Sequence, residues 1–220
     1  MKKTTFVSLL ALALTVAVTG CHHGGRGVQG SGNRRTEKRE LTSFKAIDSE
    51  GAINFEVTCQ KPVSFSIEGD DNILPLIQTD VRDGVLYLRT EKSYNSHSGI
   101  DVRINVPNLE SIKAAGAGKF HISDLKNDKF TVQTTGATAL TASGETKSVE
   151  IRNAGAGKID TDSLHAQKAR VDISGAASVD VNASEQLDAS VSGVGRVSYS
   201  GNPKTVNKSV SGMGVVSAKD

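Results

Sequence analysis

NAGAGKID, residues 153–160, sets a lysine directly behind a Gly-Ala-Gly turn. Such a turn can cradle phosphate, but a phosphate loop also needs a Gly-Lys-Ser/Thr end that opens a helix. Gly157-Lys158-Ile159 has neither the hydroxyl residue nor a helical pattern after it. The stretch also recurs, as AAGAGKFHI (114–122), TTGATALTA (134–142), ISGAASVDV (173–181), VSGVGRVSY (191–199) and VSGMGVVSA (210–218). The leading glycines are Gly116, Gly136, Gly155, Gly175, Gly193 and Gly212, at intervals of 20, 19, 20, 18 and 19 residues. Copies at so even a period mark a repeat architecture rather than a ligand loop.

Aligned on that glycine, the copies separate into columns. Four positions on stand Phe120, Leu140, Ile159, Val179, Val197 and Val216, all apolar, between mostly polar neighbours. This alternation is that of a strand with one face inward. Four positions before the glycine, Ile112, Val132, Ile151 and Val171 form a second inward column that weakens to Ala189 and Lys208. The residues just after the glycine, Ala117, Ala137, Ala156, Ala176, Val194 and Met213, are expected to form a third. A coil of about 19 residues with two or three short strands fits a right-handed parallel β-helix, or solenoid, stacked at roughly 4.8 Å per coil. The glycines then occupy corners where φ is positive or a Cβ would clash. A β-sandwich is the alternative, but it leaves the in-register copies unexplained.

The rest of the chain is also β in texture. INFEV, VSFSI, VLYLRT and IDVRINV alternate with period two. FKAIDSEGAINFEVTCQ (44–60) reads as a degenerate first copy built on Gly51. With VSFSIEGDDNILPLIQTDVRDGVLYLRT (63–90), IDVRINVPNLESIKAAGAGKF (100–120) and the later Ser-Gly-x-Gly copies, it resembles the family described as putative auto-transporter adhesin, head GIN domain. The resemblance covers about residues 42–219. It implies a secreted or surface β-solenoid and brings no catalytic motif with it.

Residues 1–20 read as a lipoprotein signal peptide. Lys2 and Lys3 precede a short apolar run, FVSLLALALTVAV (6–18), and then VTGC (18–21). Small residues before a cysteine resemble the bacterial lipobox, which implies cleavage before Cys21 and its acylation. His22 rather than Asp follows the cysteine, and this favours the outer membrane. Residues 21–40 are Gly-rich and charged and are expected to be a flexible tether. Within it, Arg34, Arg35, Lys38 and Arg39 form a basic cluster that could sit against anionic headgroups, with a solvated linker as the plainer reading. Residues 41–220 are expected to be one domain, with 41–110 capping the regular repeats of 111–220. With Cys21 lipidated, Cys59 has no disulfide partner within the chain.

Chemistry is sparse. A net charge of +2, from 26 basic and 24 acidic residues, does not suit nucleic-acid binding. Asp160 and Asp180 fall on adjacent coils, about 5 Å apart by strand spacing, and Asp162 shares their face. Three carboxylates in that pattern could hold a cation, and a close pair could hydrolyse glycosides. A solvated face balanced by Lys158 and Lys119 is the plainer reading. No cofactor is expected. The partners expected are the membrane, through the lipid, and a second copy, protein or glycan. Little follows Val216 to cover the last coil, so that end is expected either to be blunted by Lys219 and Asp220 or to pair with a partner. The function expected is that of a non-enzymatic envelope binding or structural module. A polysaccharide-active enzyme using the surface carboxylates is the alternative.

Overall fold

The structure, a computed structural model, describes residues 27–219; the signal segment, Cys21 and the histidine pair after it lie outside the described residues. The N-terminal part comprises β1 (Val28–Gln29), β2 (Arg34–Lys38), β3 (Ala46–Cys59), β4 (Ser64–Asp70), a 3-10 turn (Leu74–Leu76), β5 (Ile77–Arg82), β6 (Val85–Thr90), β7 (Tyr94–Asn95) and β8 (Ile100–Val106). The repeats follow as β9 (Ser111–Thr134), β10 (Ala137–Asn153), β11 (Ala156–Ile173), β12 (Ala176–Val191), β13 (Val194–Ser200), β14 (Thr205–Val210) and β15 (Met213–Ala218).

Each long strand is one bent coil lying parallel on the next. Ala117, Ala137, Ala156, Ala176, Val194 and Met213 stand in a single register column. The coils form a β-solenoid of about five turns. Parallel pairing between successive coils excludes the sandwich, whose sheets are antiparallel. The degenerate first copy is in place: Gly51 lies beside Gly116, Ile47 beside Ile112 and Phe55 beside Phe120. Sixty-five residues separate the two glycines because β4 to β8 are inserted between the first coil and the second. β8 and β6 continue the stack on β3, while β4 and then β2 add antiparallel strands at the N-terminal edge.

The core is a set of stacked like residues. Phe120, Leu140, Ile159, Val179 and Val197 are buried, as are Ile112, Val132, Ile151, Val171 and Ala189. The Phe55 and Phe120 rings stack with centroids 4.6 Å apart. A third inward column lies two residues before the glycine: Ala114, Thr134, Asn153, Ile173 and Val191. Two of its members are polar and share a hydrogen bond, the Asn153 amide donating to Thr134 Oγ1 at 2.7 Å, while Asn153 Oδ1 stays buried without a partner.

Two expectations are corrected. The column just after the glycine faces outward: Ala117, Ala137, Ala156, Ala176, Val194 and Met213 are all exposed. Position +4 points inward, so strand alternation turns +1 to the solvent; small apolar residues are simply tolerated there. The second correction concerns the tether, because residues 27–40 belong to the folded body. β1 pairs with β7 and β2 pairs antiparallel with β4. Composition favoured disorder, but the segment gains backbone pairing and distant side-chain partners. Arg34 meets Glu68 at 3.1 Å and Asp101 at 2.8 Å. Arg39 donates to the carbonyls of Ile77 and Leu74 at 2.7 and 3.1 Å.

The glycine spine has a specific cause. None of the six repeat glycines has positive φ. Each stands over the glycine of the preceding coil, whose carbonyl oxygen occupies the space a Cβ would need. Close backbone approach, not left-handed conformation, therefore selects glycine at this corner. Positive φ occurs at the corner only at Gly51 of the first copy and at Gly157, and again eight residues after the corner glycine, at Asp124, Gly144 and Gly201.

Candidate functional site

The carboxylates singled out by the repeat pattern do converge. Asp160 on β11 lies beside Asp180 on β12 in the parallel register. Asp162 follows two residues along the chain, and its N–H donates to Asp160 Oδ1 at 3.3 Å. Two ammonium groups already occupy the cluster. Lys219 Nζ lies 3.2 Å from Asp162 Oδ2 and 3.3 Å from Asp180 Oδ1. Lys158 Nζ lies 3.5 Å from Asp160 and 3.9 Å from Asp180. Ser200 Oγ donates to the other Asp162 oxygen at 2.6 Å. Lys119, expected to help, makes no ion pair among the described residues.

This arrangement suits a latch better than a catalytic or metal centre. A glycosidase pair needs one carboxylic acid kept protonated by a raised pKa. The Ser200 hydroxyl, with Lys219 beside it, instead holds the Asp162 carboxyl below its ordinary range. No group of three His, Cys, Asp or Glu among the described residues is arranged to hold a metal ion. What the cluster does is fasten the last strand. Lys219 follows β15 directly, and its N–H donates to the Tyr199 carbonyl at 2.8 Å. Its side chain reaches back across β13 to β12 and the end of the β11 sheet face.

A calcium titration checks this. At 1 mM calcium the midpoint of thermal unfolding is expected to move by less than about 1 °C. A site with a micromolar Kd would add more than about 2.7 kcal/mol and raise the midpoint by several degrees. The latch also carries an acid dependence. Asp162 titrates lower in the folded chain than unfolded, so its contribution is complete above the unfolded pKa of ~4. It is lost as pH falls through the folded value. Asp162→Asn is expected to remove that part of the acid sensitivity.

The lateral face before the glycine corner is a ladder of paired charges. Lys113 and Arg89 meet Asp48 at 3.2 and 3.1 Å, Lys129 meets Glu150 at 3.1 Å, and Arg170 meets Asp172 at 3.0 Å. Lys129 donates to Glu150 and holds that carboxyl low. A shallow groove of about 300 Å³ runs along this face, lined by Gln133, Arg152, Asp172, Ser174, Ser190 and Ser192. Cys59 is buried, and burial pushes its thiol up to about 11, so it is unreactive at neutral pH.

At each end of the solenoid a basic side chain lies against backbone carbonyls. At the N-terminal end Arg39 covers the carbonyls of Leu74 and Ile77. At the C-terminal end Lys208, the outlier of the inward column, bends over the Tyr199 ring at 5.1 Å. Its ammonium donates to the Val216 carbonyl at 3.1 Å. Neither role was evident from the sequence. A lysine in an otherwise apolar column was the one available signal. Beside it Val194, Val210, Met213 and Val215 remain exposed.

Stacked parallel coils and a glycine spine define the class: a β-solenoid with largely polar lateral faces. The chain matches the family described as putative auto-transporter adhesin, head GIN domain, over residues 43–203, and it belongs to that family. Solved structures agree. A putative adhesin from Bacteroides fragilis is 25% identical with a TM-score of 0.69, over 88% of this chain and 100% of its own. A putative adhesin from Parabacteroides merdae is 23% identical with a TM-score of 0.53, over 88% and 99%. A putative lipid binding protein from Parabacteroides distasonis is 20% identical with a TM-score of 0.55, also over 88% and 99%. No curated protein matches the sequence.

Proposed function

We propose that this chain is a lipid-anchored outer-membrane protein whose solenoid is a non-catalytic, adhesin-type binding or structural module. The observation that carries the non-catalytic half is the lysine-paired carboxylate cluster. The chain's most enzyme-like constellation is already bonded to Lys158, Lys219 and Ser200. Membership of a family described as adhesins supports a role in surface contact. The anchor rests on the lipobox at Cys21 and on His22 after it. Among the described residues no helix is long and apolar enough to cross a membrane. The partner is a protein or a glycan, met on the lateral faces or the C-terminal edge.

The test is the intact mass of the chain from cells, together with fractionation. The expected mass is that of residues 21–220 plus acyl groups, in the outer-membrane fraction. Cys21→Ala is expected to abolish both. An unacylated chain would overturn the anchor. Polysaccharide turnover that Asp160→Ala removes would overturn the non-catalytic half.

A further inference from the structure

The folded N-terminal segment changes what an anchor would do. A tether from Cys21 to Leu41 would allow an excursion of roughly 66–72 Å at 3.3–3.6 Å per residue. The structure removes most of it. Val28 N–H donates to the Ser93 carbonyl at 2.8 Å and Gly30 N–H to that of Asn95 at 2.9 Å. Gly27 itself is packed so closely on Ser93 that a Cβ would lie 2.7 Å from its carbonyl. Asn72 donates to the Gln29 carbonyl at 2.8 Å, and Asp71 N–H to that of Asn33 at 2.9 Å. The chain is therefore pinned from residue 27 onward. Six residue steps from Cys21 span at most about 20–22 Å.

The pinned point lies in the N-terminal part of the stack. The strand order runs from β15 at one edge to β2 at the other, nine steps apart. At about 4.8 Å per step the two edges lie roughly 43 Å apart, about twice the reach of the linker. Part of the charge on the β2 edge is unpaired, as it also is at Lys119, Lys126, Lys168 and Arg196 elsewhere, and the exposed Glu40 beside it makes no ion pair among the described residues. Arg34 and Arg39 are turned to partners within the body, but Arg35 and Lys38 are exposed and make no ion pair among the described residues.

We propose that the β2 edge, with Arg35 and Lys38, lies directly on anionic headgroups of the membrane that Cys21 anchors, so that the coils stack away from the bilayer. The C-terminal edge, with Val194, Val210, Met213 and Val215, is then the end presented outward. The inference rests on the anchor reading above. It replaces a domain on a long leash with one clamped upright at the surface. Each basic side chain within a Debye length of roughly 8 Å of an anionic surface is attracted to it, and a linker of at most about 20–22 Å lets the β2 edge approach that closely.

The test uses the mature lipoprotein in vesicles of neutral lipid with about one-third anionic lipid and acceptor dye on the headgroups. A donor dye is placed on Thr36→Cys in β2 or on Asn207→Cys in β14; the buried Cys59 stays unlabelled. Energy transfer is expected to be at least fivefold higher from position 36. Equal transfer from both positions would place the solenoid on its side and overturn the proposal, as would the reverse order. Reversing the charges in Arg35→Glu/Lys38→Glu is expected to at least halve transfer from position 36, and no change would overturn the headgroup contact. The acyl mass is read on the same samples. Its absence sinks the anchor reading, whereas acylated protein with equal transfer sinks only the orientation.

Discussion

Gly136→Ala is expected to cost about 4 kcal/mol or more, enough to prevent the folded chain from accumulating. A Cβ at this position would fall on the Gly116 carbonyl oxygen and lie 2.6 Å from both the Gly116 carbonyl carbon and nitrogen. All three are backbone atoms in the middle of the stack. They cannot move aside as a flexible side chain would, and coils on both sides fix their spacing. Opening that contact would also break the parallel ladder joining β9 to β10. The comparison is Gly84→Ala, at a hairpin turn with φ of 72° and nothing within 4 Å of its Cβ. That change is expected to cost only the left-handed penalty of about 1–2 kcal/mol. Gly212→Ala should fall between, because the last coil can fray without unfolding the rest. Urea unfolding of the three variants orders them. Equal midpoints for Gly136→Ala and Gly84→Ala would mean that close approach along the spine is not what glycine provides.

The repeat was legible because its cause is periodic. Each coil meets the same neighbours, so Phe120, Leu140, Ile159, Val179 and Val197 face the same stacked core and are apolar together. The outward +1 column was misread for the opposite reason. A small apolar residue at a solvent-facing corner is nearly neutral in energy, so Ala117 and Ala137 do not reveal their side. The N-terminal strands were hidden because their partners are remote. Arg34 is fixed by Glu68 and Asp101, and nothing local in GSGNRRTEK announces that. The Asp160–Asp180 juxtaposition followed from the coil period, and so did the balancing role of Lys158. The second ammonium did not. Lys219 reaches Asp162 only because the strand after Gly212 lies back on β13, a placement set by tertiary packing.

Lys208→Val is expected to turn the C-terminal edge into a self-association surface. Position 208 lies in register with Ala189, beneath which Val171, Ile151 and Val132 continue an apolar column. A valine would extend that column to the open end, next to the exposed Val210, Met213 and Val215. Lysine does the reverse. Its ammonium lies across the end, over the Tyr199 ring and against the Val216 carbonyl. A second copy docking there would have to strip water from two like charges facing each other. An inward-pointing charge at a sheet edge is a known guard against edge-to-edge pairing. Removing it deletes that repulsion and adds about 1.5 kcal/mol of burial for each valine, or roughly 3 kcal/mol per two-fold pair. The association constant should rise by about two orders of magnitude. Light scattering of residues 27–219 over a concentration series reads the change. Wild type and Lys208→Gln, which keeps a polar plug, are expected to stay at monomer mass where Lys208→Val moves toward twice that mass. A wild-type dimer at the same concentrations would show that the exposed valines and Met213 outweigh the lysine, and that this edge is where two copies meet.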